Sequence, residues 1–126
     1  MLYNIIITSD GHGMYGHQIS LYLKDKLPEA LNKEIIKRRK LSSTITSQEY
    51  NKHIEDTFLY INYKITNEIN IDTSYSGSTC ISLIYTPEKL ICANVGDSRC
   101  VLGKYFSGGN IKVNCSVDFS KFIKRP

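Results

Sequence analysis

Asp10-Gly11-His12-Gly13 puts a carboxylate, an imidazole and two glycines into one short stretch. A carboxylate beside an accessible backbone carbonyl suits a hard cation such as Mg²⁺ or Mn²⁺, which takes oxygen ligands. Asp10 and the Gly11 carbonyl could supply two of them. Glycines let a metal or a phosphate approach the backbone closely. His12 is the right kind of group to protonate a leaving alkoxide near neutral pH. The competing reading is a structural turn with a solvent-facing imidazole. Two further stretches carry similar potential. Gly96-Asp97-Ser98-Arg99 reads either as a hairpin turn capped by its aspartate or as a second acidic site. Ser76-Gly77-Ser78-Thr79 reads as a phosphate-cradling loop or, better, as a loop that enters a strand.

These residues need rigid elements to position them. Leu2 to Thr8 is apolar and β-rich, with three successive isoleucines, and predicts a buried strand ending at the Asp10 turn. A helix follows from about Tyr15 to Lys26, and Pro28 ends it or begins a new turn. Residues 33–45, charged and then Ser/Thr-rich, predict a loop or short helix. Thr46 and Glu49 form a capping-box pair. Behind them Tyr50, Ile54, Phe58, Ile61, Ile65 and Ile69 make a helical stripe, which is core packing and carries no chemistry. From Thr79 the period changes to that of strands: Cys80 to Thr86, Lys89 to Val95, Arg99 to Tyr105 and Ile111 to Cys115. Pro87-Glu88, Gly96-Asp97-Ser98 and Ser107-Gly108-Gly109-Asn110 are the turns between them. Short links imply an antiparallel meander. Helices with an antiparallel sheet give an α+β layered architecture.

Taken in order, the Asp-Gly-His-Gly turn after an apolar strand, the Ser-Gly-Ser-Thr entry to a strand, and Ala93-Asn94-Val95-Gly96-Asp97-Ser98-Arg99 resemble the type 2C metal-dependent serine/threonine protein phosphatases. Tyr15 to Leu31 and Thr46 to Ile71 resemble that family's first two helices. The resemblance implies an α-β-β-α sandwich of antiparallel sheets flanked by helices. It implies hydrolysis of phosphoserine and phosphothreonine in phosphoprotein substrates, with two Mg²⁺ or Mn²⁺ ions and a weaker third. It further implies that Asp10 bridges two metals, that Gly11 offers its carbonyl, that His12 is the general acid, and that Asp97 helps hold the weaker ion. Ser78 and Thr79 are structural in this reading.

The sequence departs from the family pattern in places. Met14 stands where a glycine is usual, and Cys100 where an alanine is common. Ser116-Val117-Asp118-Phe119 resembles the start of the next motif, with Phe119 in place of its histidine. The family's arginine and acidic ligands before this segment, and its aspartates after it, have no counterpart in the 126 residues. One bridging carboxylate cannot neutralise two divalent cations. The expectation is therefore one partial phosphatase domain over residues 1–126, truncated at both ends. The alternative is a catalytically inactive relative acting as a binding or regulatory module.

Composition narrows the class further. The net charge of +4 is concentrated in Lys33 to Lys40 (KEIIKRRK), and no aromatic residue interleaves with that run. It reads as a solvated helix end or loop rather than a nucleic-acid platform. Cys80, Cys92, Cys100 and Cys115 lack the paired spacing of a zinc site, and reduced buried thiols are the default reading. No apolar run approaches the roughly 20 residues of a membrane span, and Met1 to Thr8 does not read as a signal peptide. Together these predict a cytoplasmic or nuclear protein without a membrane partner.

Overall fold

A computed structural model describes residues 4–41, 47–85, 90–105, 108–109 and 111–115. The chain divides into a helical unit, Ser9–Ser78, and a sheet unit formed by Met1–Thr8 with Thr79–Pro126. The α+β class and the antiparallel pairing expected from the sequence are both present.

Strands β1 (Asn4–Thr8) and β2 (Gly11–His12) precede helices α1 (Gly16–Leu41) and α2 (Ser47–Asn67). In the helical unit α1 packs against α2. Ile19, Leu23, Leu27, Leu31 and Ile35 recur every fourth residue along α1, and all are buried. On α2 the buried positions are Ile54, Thr57, Ile61 and Ile65, while Tyr50 and Phe58 are half-buried. Thr57 is tolerated there because its hydroxyl donates to the His53 carbonyl at 2.7 Å. Thr46, the expected cap, lies outside the described residues. Glu49 does occupy the first turn, where a negative charge favours the helix dipole. Ile69 falls beyond the helix end, which closes when the Lys64 carbonyl accepts from the Glu68 and Ile69 amides.

Of the two readings of Pro28, an end to the helix is overturned: α1 neither stops there nor gives way to a new turn, and runs through it to Leu41. A proline inside a helix costs about 3 kcal/mol through a lost hydrogen bond and a clash with the preceding turn. Burying one leucine or isoleucine side chain returns about 1.5–3 kcal/mol. Leu27 at 0% exposure and Leu31 at 1% flank the proline, with Ile35 a turn further on. Continuing the helix places all three on its buried face, and their burial offsets the local penalty.

Strands β3 (Gly77–Ser78), β4 (Cys80–Tyr85), β5 (Leu90–Val95), β6 (Val101–Tyr105) and β7 (Ile111–Cys115) complete the chain. In the sheet unit the order is β1-β4-β5, all antiparallel, with Ile6 opposite Leu83 and Leu83 opposite Cys92. Central β4 is buried on both faces at Cys80, Ile81, Ser82 and Ile84. Two expectations are corrected here. First, β1 is an edge strand of alternating exposure rather than a buried one, and Ile6 is 53% exposed. Three consecutive isoleucines fix a strand, but period-2 alternation sends the middle one to the opposite face. Second, the meander is interrupted. Among the described residues β5 pairs with β4, β6 pairs with β7 in a separate two-stranded ladder, and the Gly96–Cys100 segment between β5 and β6 joins neither. The Pro87-Glu88 turn and the Ser116-to-Phe119 segment lie outside the described residues.

Candidate active site

The Asp10 turn is built by backbone contacts that only glycine permits. A Cβ placed on Gly11 would lie 2.1 Å from the Gly16 carbonyl oxygen, so the turn presses directly on the first residue of α1. Gly13 has φ +79, and a Cβ there would lie 2.2 Å from the Tyr75 carbonyl oxygen. Alongside it, the Ser76 hydroxyl accepts a hydrogen bond from the Tyr15 amide at 3.1 Å. This bond supplies one of the partners that amides at a helix start otherwise lack.

The short ladder between β2 and β3 completes the arrangement. Gly11 lies opposite Ser78 and His12 opposite Gly77. The His12 imidazole covers the Gly77 backbone: a Cβ on residue 77 would meet Nε2 at 2.7 Å and Cε1 at 2.9 Å. Asp10, Gly11 and His12 are all exposed. The turn is thus fixed from below by the start of α1 and from one side by residues 75–78, with its chemistry-bearing groups accessible to solvent. The structure brings Asp10, Gly11 and His12 together with Ser76, Gly77 and Ser78. Gly16, Ser76 and Gly77 were not singled out for this role, because their contribution depends on contacts between residues far apart in the chain.

Asp97 belongs to the sheet unit, on the turn that follows β5. Gly96 takes φ +96 and packs on Thr79, whose Cγ2 would lie 2.9 Å from an added Cβ. The Thr79 and Ser98 hydroxyls are hydrogen-bonded at 2.8 Å. The Asn94 side-chain amide donates to the Ser98 carbonyl at 2.7 Å. Asn94 is 1% exposed and Thr79 is buried, so the turn is anchored from beneath while Asp97 is exposed. Asn94 is a positioning residue that motif reading passes over. Its signal is a polar residue placed next to apolar ones inside a strand.

The donor chemistry of Asp10 and the Gly11 carbonyl fits a hard divalent cation, which prefers oxygen. The donor number does not complete a site. Among the described residues no group of three His, Cys, Asp or Glu side chains is placed to hold a metal ion. The other acids considered, Glu49, Glu55, Asp56 and Glu68, lie along α2 or just past its end, and all but half-buried Glu55 are exposed. Among the described residues no helix is long and apolar enough to cross a membrane.

Comparison with known proteins gives the same reading as the motifs. The family model for protein phosphatase 2C matches residues 7–119. The chain is 35% identical to probable protein phosphatase 2C 72 of Arabidopsis thaliana over 82% of its own length and 31% of that protein. It is 33% identical to probable protein phosphatase 2C 35 of the same plant, over 91% of this chain and 30% of the relative. It is 33% identical to protein phosphatase 1L of Bos taurus, over 74% and 25%. The chain therefore spans a third or less of the length of these relatives. On the ordered motifs, the family match and these identities, the chain belongs to the protein phosphatase 2C family.

Proposed function

We propose that the protein carrying this chain hydrolyses phosphoserine and phosphothreonine esters in phosphoproteins, using Mg²⁺ or Mn²⁺ held in part by Asp10 and the Gly11 carbonyl. One observation carries the reading: a solvent-accessible carboxylate and imidazole, two residues apart, stand on a backbone turn fixed by glycine contacts on two sides. When bound, paired divalent ions supply charge stabilisation at the phosphoryl group and a water acidified towards neutrality. Asp10 offers anionic oxygen at a position that cannot drift, because Gly11 beside it is locked against Gly16. His12 holds a proton for the departing serine or threonine oxygen. Gly77 beneath the ring limits where that proton can be delivered. Asp97, on its own anchored turn, is assigned the lesser role of helping to hold a further, weaker ion.

The test is hydrolysis of a phosphothreonine peptide by the full-length protein with Mn²⁺. Activity abolished by EDTA and by Asp10→Asn is the expected result. A folded full-length protein without activity would instead favour the reading as a binding or regulatory module. The observation on that side is the small number of ligands among the described residues.

A further inference from the structure

Met14 and Tyr75 are the most exposed large hydrophobic side chains among the described residues, at 78% and 93%. The next, Val101, stands at 57%. Single exposed apolar side chains are ordinary on a protein surface. These two are not scattered, because both flank the Asp10 turn. Met14 follows Gly13 directly and lies two residues from His12. Tyr75 lies two residues from Gly77, whose backbone the His12 ring covers. The two segments touch, since a Cβ on Gly13 would lie 2.2 Å from the Tyr75 carbonyl oxygen. The bond from the Tyr15 amide to the Ser76 hydroxyl, at 3.1 Å, holds them side by side. All of these residues belong to the helical unit.

The geometry points to Met14 and Tyr75 as specificity-determining residues, an apolar rim beside His12 that takes a large apolar side chain of the substrate. That side chain sits one or two residues from the phosphorylated serine or threonine. The substrate class is therefore phosphopeptides with leucine, methionine or an aromatic residue at such a position. The inference rests on the phosphatase reading above and deepens it. Two residues of extended chain span at most about 7 Å. Met14 stands within that distance of His12, and Tyr75 of Gly77. A substrate residue the same number of positions from the phosphorylated one has the same reach. With the leaving oxygen at the His12 ring, its side chain meets Met14 or Tyr75. Met14 offers a flexible thioether that adapts to varied shapes, and Tyr75 a broad apolar ring. A side chain that covers them removes apolar surface from water on both partners. A charged side chain there gains nothing and loses part of its hydration. Such a contact is made equally in the bound substrate and in the transition state, so it lowers KM and leaves kcat unchanged.

The experiment is steady-state hydrolysis of two phosphothreonine peptides by the full-length protein with Mn²⁺. The peptides differ only beside the phosphothreonine, with leucine at the two positions on either side or serine at the same positions. The wild type should favour the leucine peptide by about three- to tenfold in kcat/KM, carried by KM, which is the worth of half-covering one large apolar side chain. Met14→Gln combined with Tyr75→Asn should abolish the preference, and Met14→Leu combined with Tyr75→Phe should keep it. Equal kcat/KM for the two peptides, or a preference for serine, would overturn the proposal and leave the phosphatase reading intact. A leucine preference that survives the polar substitutions, or that resides in kcat, would overturn it likewise. Hydrolysis of neither peptide by the wild type would defeat the phosphatase reading and the proposal with it. The wild-type comparison requires no variant to fold, and both substituted positions lie outside the core.

Discussion

The imidazole of His12 lies against the backbone of Gly77, so closely that a Cβ there would sit 2.7 Å from Nε2. Two residues distant in sequence thus fix where the ring lies, which on the proposed reading is the position of the proton donor. Gly77→Ala pushes the ring aside without removing it. A positioned general acid is worth about 10²–10⁴-fold, so Gly77→Ala should lose about tenfold or more of the rate on a phosphothreonine peptide, and His12→Gln about a hundredfold or more. Both losses should shrink on p-nitrophenyl phosphate, whose leaving group needs no proton. Equal losses on the two substrates would assign Gly77 a merely structural role.

Gly11 touches the backbone of Gly16 rather than a movable side chain. Gly11→Ala must therefore shift the Asp10 turn or the start of α1. Overpacking of this kind costs about 1–3 kcal/mol. A melting temperature lowered by several degrees is expected, together with weaker Mn²⁺ dependence of activity. Gly13→Ala should behave alike, because it adds a strained positive φ to a clash with the Tyr75 carbonyl.

Pro28 lies inside the continuous α1, between the fully buried Leu27 and Leu31. Pro28→Ala restores an amide donor and removes a ring clash, and it should raise the melting temperature, by up to about 3 kcal/mol in stability. Leu27→Ala should lower stability by about 2–5 kcal/mol. Thermal unfolding of the two variants side by side checks both the direction and the claim that burial overrides the proline.

The Ser82 hydroxyl is wholly buried in β4, with no hydrogen-bond partner among the described residues. An orphaned buried hydroxyl costs about 1–3 kcal/mol. Ser82→Ala removes it within nearly the same volume and should leave stability unchanged or higher. A clear loss in thermal unfolding would show that the hydroxyl is satisfied in solution.

Asp97 lies in the sheet unit and Asp10 in the helical unit, and the proposed function gives them different roles that substitution separates. Asp97→Asn should raise the Mn²⁺ concentration needed for half-maximal hydrolysis a few-fold, leaving the saturated rate near that of the wild type. An unchanged metal profile would remove Asp97 from the metal-holding residues.

How far the sequence could be read follows from whether each signal was local. The stripe along α2 and the strands from Cys80 to Tyr85 and Leu90 to Val95 are written in nearest-neighbour periodicity, and they are legible. The continuation of α1 past Pro28 is not, because a local breaker was outweighed by burial against a partner helix. The exposure of Ile6 was hidden for a related reason: a run of isoleucines looks the same at a sheet edge as at its centre. At the site, the Asp10-to-Gly13 motif identifies the residues. What fixes them, the contacts with Gly16, Tyr75, Ser76 and Gly77, arises only on folding.

The most direct test of the central claim is Mn²⁺ binding by the full-length protein, followed by electron paramagnetic resonance, with wild type beside Asp10→Asn. The account predicts saturable Mn²⁺ binding by the wild type, at least a tenfold weaker affinity in Asp10→Asn, and a parallel loss of phosphothreonine hydrolysis. Identical Mn²⁺ affinity in the two proteins would contradict it, and would reduce Asp10-Gly11-His12-Gly13 to a structural turn.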